Sequence, residues 1–145
     1  MLTVKKVLGG AILAMGLSGY AAAHGHCGET ALHEDMENLK TELKSLSFDL
    51  RGKDAAAASE RVDVIISLLK DSREETPFKF TKEGLTGEAL ATEMAEYQSL
   101  MDETIEVFVS VDKAIEANDM GEAGSLLREV GNLRKKGHSA FKASC

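Results

Sequence analysis

The sequence predicts an all-α protein, an antiparallel up-down-up-down four-helix bundle, and three observations carry that reading. Four stretches repeat apolar residues in steps of three and four, the spacing that lines them up on one face of a helix. No stretch reads as a strand. The links between the helical stretches are mostly short, which makes chain neighbours antiparallel.

The chain has 145 residues, and its beginning reads as a temporary segment. Lys5 and Lys6 precede the apolar run Val7 to Tyr20, and Ala21-Ala22-Ala23 supplies the small side chains that a signal peptidase accepts. Residues 1–23 are therefore expected to be a signal peptide and residues 24–145 the mature chain, enough for one core and too little for two. The apolar run is too short and glycine-rich for a stable span, and no other stretch approaches the ~20 apolar residues that a membrane helix needs. The expected product is exported to the periplasm, with no membrane insertion of the mature chain.

The first helical stripe is Leu32, Met36, Leu39, Leu43, Leu46 and Leu50, from about Thr30 to Leu50. Gly52 is expected to end it by taking the left-handed conformation found just past a last turn. Asp54 can cap the next helix, whose stripe Ala55, Ala58, Val62, Ile65, Ile66, Leu69 runs to about Glu75. Thr76 to Gly87 holds the only proline and two glycines and is expected to be a loop, with Phe78, Phe80 and Leu85 covering one end of the bundle. The third stripe, Leu90, Met94, Tyr97, Met101, Thr104, Phe108, Val111, Ile115, stops near Asn118. Asp119 with Glu122 three residues on resembles a capping box and opens the last helix, which runs through Phe141.

Composition excludes several functions. The net charge is −7, and removal of a signal carrying two lysines and no acid makes the mature chain more acidic still. That argues against nucleic acid and anionic membrane as partners, and permits a basic partner protein. There is no Gly-x-Ser-x-Gly, no phosphate-binding glycine loop and no His-Glu-x-x-His, so no catalytic motif marks an enzyme. The two cysteines belong to no Cys-x-x-Cys-His haem-attachment motif and no zinc cluster.

Two residues stand out against this plain helical background. His138 lies within about a sixth of a turn of Leu127, Gly131, Arg134 and Phe141, so it is expected to point inward. Met36 sits in the apolar stripe of the first helix, about two turns from its start, while His138 is about one turn from the end of the last. In an up-down-up-down bundle those ends coincide, so the two side chains fall at nearly the same height. An imidazole and a thioether facing each other across a helical core suggest haem ligands. His33 is a rival on the shoulder of the first stripe and is expected to be solvated. His24-Gly25-His26 would place an imidazole at the third residue of the mature chain, where Cu(II) or Ni(II) could bind; a frayed tail is the plainer expectation.

The segments Leu32-His33-Glu34-Asp35-Met36-Glu37-Asn38-Leu39 and Thr76-Pro77-Phe78-Lys79-Phe80, together with Arg134, His138 and Phe141-Lys142, resemble the first helix, middle loop and last helix of the soluble cytochrome b562 family. The resemblance spans about Leu32 to Lys142 and is weakest in the second helix. It implies one haem b, held non-covalently with Met36 and His138 as axial ligands to the iron, and Arg134 and Lys142 near its propionates. Gly137 stands where an aromatic often precedes the histidine, and Met101 replaces one of two phenylalanines, leaving Tyr97 as the aromatic partner of the pocket.

The function so implied is electron carriage by a periplasmic b-type cytochrome that is not an enzyme. Its expected partner is an unidentified redox protein, and the carrier itself is expected to be a monomer. A haem-free exported bundle serving as a binding or stress protein, and a haem-storing or haem-passing carrier, stay open as alternatives. Bundle topology brings Cys27 and Cys145 to the same end as Met36 and His138, so a disulfide closing nearly the whole mature chain is expected.

Overall fold

The computed structural model describes residues 29–145. The described residues form five helices: α1 Ala31–Arg51, α2 Ala55–Glu74, α3 Phe78–Lys82, α4 Gly87–Glu116 and α5 Met120–Phe141. The four long ones make the expected antiparallel bundle, with α1 packed on α2, α2 on α4 and α4 on α5. The fourth side is different, because α1 and α5 touch only sparsely. The predicted signal segment, His24-Gly25-His26 and Cys27 lie outside the described residues.

Helices α1, α2 and α5 start where a short polar side chain satisfies a free amide. The Thr30 hydroxyl accepts from the His33 N–H at 3.1 Å, Asp54 from Ala57 at 3.1 Å and Asp119 from Glu122 at 3.0 Å. Gly52 is not the left-handed residue after α1. It stays right-handed, its N–H still bonded to Phe48 O, and the reversal comes one residue later at Lys53, with φ +56°. Lys53 N–H then bonds Leu50 O, and Asp54 N–H bonds Asp49 O, closing the helix by a Schellman motif. Asn118, with φ +57°, repeats the same closure after α4, through Asn118 to Ile115 O and Asp119 to Ala114 O. In both turns one aspartate ends a helix with its amide and begins the next with its carboxylate.

The expected loop between Thr76 and Gly87 contains α3. Pro77 sets its start with no side-chain cap, and Gly84, at φ +68°, ends it. Phe80 is fully buried and Leu85 packs on the core, so this short helix covers one end of the bundle. Along the axis, Leu46, Val62, Ile65, Phe108, Val111 and Ile115 are solvent-free or nearly so. Each contributes roughly 1.5–3 kcal/mol by leaving water. No helix among the described residues is long and apolar enough to cross a membrane.

Candidate functional site

The two flanks of α1 have different neighbours. Asp35, Glu42 and Asp49 mark the flank that meets α2: Asp35 accepts from the Ser72 hydroxyl at 3.4 Å, and Arg61 bonds Glu42 at 2.9 Å and Asp49 at 3.3 Å. At about 100° per residue, Met36, Leu43 and Ser47 fall on the other flank. Ser47 lines a depression shared with Met120, Gly124 and Leu127 of α5, so that flank is the one turned to α5.

The same division applies to α5. Lys136, Ala140 and Phe141 line a groove shared with Ala95 and Ser99 of α4. Gly137 closes on α4 so tightly that an added Cβ would meet Leu100 Cδ2 at 3.0 Å. Leu127, Arg134 and His138 fall on the side away from Lys136 and Ala140, with Phe141 between, and Leu127 shows that side to be the one facing α1. Met36 and His138 are thus on the two walls of the sparsely packed seam.

A partly buried network runs through all four long helices and passes beside both residues. Ser72, wholly buried on α2, bonds Asp35 beside Met36 through its hydroxyl, and its carbonyl accepts the Tyr97 hydroxyl of α4 at 2.5 Å. The Tyr97 ring meets the edge of Phe141 at 5.5 Å, and Phe141 lies three residues beyond His138 on α5. One layer therefore crosses all four long helices, with Met36 at one end of it and His138 within a turn of the other.

His138 does not point into the core as the wheel suggested. It is exposed, because it sits at the border of the apolar stripe and α1 does not cover it. Its imidazole is still partly desolvated, and burial, followed by the charges of Arg134 and Lys142, lowers its pKa below the usual 6.5. All three causes favour neutral imidazole, the form with a lone pair to give a metal. Arg134 and Lys142 are themselves exposed, and the structure gathers both around His138. Met36 is half-buried and packs against the core beside Leu32 and Leu43. His33 is exposed. Tyr97 is in the core, where burial, then the charges of Glu75 and Asp35, holds its phenol protonated.

Sequence reasoning passed over Ser72, Asp35 and the lysines of α3. Ser72 could have been found, since it is the next step of the stripe after Ile65 and Leu69 and is as buried as they are. Among the described residues no group of three or more His, Cys, Asp or Glu gathers that could hold a bare metal ion. Met36 and His138 are two donors, too few by themselves for a bare ion.

What these elements define is a four-helix bundle carrying one thioether and one imidazole on facing flanks of its open side. The family model described as cytochrome b562 matches residues 31–142, and the chain belongs to that family of haem-binding electron carriers. No curated protein and no solved structure matches it.

Proposed function

We propose that the protein is a periplasmic b-type cytochrome that carries electrons, holding one haem b non-covalently between α1 and α5 with Met36 and His138 as axial ligands. The observation that carries this reading is the sparse α1–α5 seam, with a donor on each wall at the level of one cross-bundle layer. When bound, haem supplies a one-electron couple at its iron.

The chain's own residues set the terms of that couple. His138 offers an imidazole whose pKa is lowered by partial desolvation and by the cations beside it, which favours the neutral form. Met36 offers an uncharged thioether, which favours the ferrous state and raises the potential. With Met36 and His138 both holding the iron, no position would be left to a substrate, so electron transfer is the fitting use and catalysis is not. Arg134 and Lys142 supply positive charge where carboxylates of the cofactor would lie. The absence of a Cys-x-x-Cys-His motif supports non-covalent attachment, and the N-terminal signal pattern supports the periplasm. The acidic chain fits a basic redox protein as partner and asks for no second copy of itself.

The test is the pair of ligand variants in haem-loaded protein. Met36→Ala should keep haem and lower the midpoint potential, whereas His138→Ala should lose haem affinity by more than the ~10–100-fold that an outer-shell change costs. Arg134→Leu should weaken retention about tenfold or shift the potential. A potential that moves with His33→Ala and not with Met36→Ala would reassign the ligand on α1. The exposure of His138 favours one second reading, a carrier that passes haem on. Repeated redox cycling without loss of the six-coordinate spectrum would argue against it.

A further inference from the structure

Helix α3 sends two cations across the end of the bundle, one to the last turn of α5 and one to the tail that follows it. Lys79 Nζ donates to Ala140 O at 2.7 Å and Lys82 Nζ donates to Ser144 O at 2.5 Å. Carbonyls at a helix C-terminus lack intrahelical donors and carry the negative end of the helix dipole, so an ammonium is favoured there twice over. Lys79 also has Glu83 within reach, at 3.9 Å, yet its short contact is to the carbonyl.

Phe80, between the two lysines, is fully buried and meets Phe141 edge-on at 6.0 Å, while Tyr97 holds another side of the same ring at 5.5 Å. Ala140 and Phe141 are two and three residues beyond His138, and Lys142 N–H bonds the His138 carbonyl at 3.2 Å. The turn that carries the imidazole is therefore held from outside the helix by a five-residue segment, through Ala140 and Phe141.

We propose that Lys79 and Lys82 are positioning residues for His138: by fixing the last turn of α5 and the tail that leaves it, they fix the direction in which the imidazole would meet the haem iron. This rests on the ligand reading above. A rigid ligand loses less on binding than one that must be ordered at that moment, so loosening the turn should show as faster haem loss.

The experiment uses the full mature chain with Lys79→Met and Lys82→Met together, which keeps the apolar stems and removes the ammonium groups, and the matching pair of arginine variants, which restores the donors. In haem-free protein the methionine pair should speed amide exchange at Phe141 and Lys142 about fivefold, the equivalent of one net hydrogen bond. In haem-loaded protein it should speed haem dissociation by a similar factor and lower the six-coordinate ferric fraction, with the arginine pair returning both toward wild type. Faster exchange with unchanged dissociation and spectrum would overturn the proposal, leaving α3 as a plain end cover; unchanged exchange would overturn it too. His138→Ala is run alongside. Wild-type haem affinity in that variant would overturn the ligand reading and the proposal with it, and the α5 exchange result would tell the two failures apart.

Discussion

Tyr97 serves two helices with two parts of one side chain. Its ring packs on Phe141 of α5, and its hydroxyl reaches the Ser72 carbonyl of α2, which also accepts the Glu75 N–H at 3.1 Å. Tyr97→Phe keeps the ring and removes the hydroxyl, leaving the carbonyl one donor. The expected cost is about 1 kcal/mol, a fall of roughly 4 °C in the haem-free melting temperature. Haem affinity should change little; a large loss would mean that the hydroxyl acts on the site and not on the frame. The sequence showed Tyr97 as a stripe residue but not where its hydroxyl goes, because that depends on the relative height of α2, which no single helix encodes. His138 shows the same limit in reverse. A wheel places a residue relative to its own stripe but says nothing of whether a neighbour covers it, and here the neighbour stands off.

Among the helices, the α2–α4 pairing has a polar clasp on its outer side. Arg73 meets Asp102 with two bonds, Nε to Oδ1 at 2.6 Å and Nη2 to Oδ2 at 3.0 Å. The bonds to Arg73 hold the Asp102 carboxyl below its ordinary 3.8. A group whose pKa is depressed on folding adds stability that is complete above the unfolded pKa and disappears as pH falls through the folded one. Wild type should therefore melt above Asp102→Asn at neutral pH, and the gap should close in acid below pH ~4 and shrink in high salt. A gap that persists unchanged in acid would assign the difference to the asparagine itself. Element boundaries were legible wherever a capping aspartate stood, as at Asp54 and Asp119. They were missed by one residue at Gly52, because the Schellman closure fixes its reversal by hydrogen-bond register and seats Lys53 there despite the glycine beside it. Helix α3 was not legible at all, since five residues are too few to display a period.

For the molecule as a whole, topology was read from the sequence and closeness of packing was not. Periodic stripes announce that four helices share a core; they do not announce that one of the four seams is left loose. Cys145 is disulfide-bonded, and Cys27, its expected partner, lies outside the described residues. If the two are joined, native protein should titrate no free thiol, and reduction should cost up to the ~4.7 kcal/mol of stability expected for a loop of about 100 residues, read as a lower melting temperature. Two reactive thiols in unreduced protein would sink the pairing.

The loose seam also bears on how the chain reaches this state. Every close pairing, α1 with α2, α2 with α4, α4 with α5, joins segments consecutive along the chain apart from the short α3, while the one pairing that would join the two ends is the sparse one. A search for the native arrangement then proceeds through nearby closures, each paying little loop entropy before it is rewarded. Such a chain belongs among the fast folders, and bringing its first and last helices together is the least that its folding rate depends on.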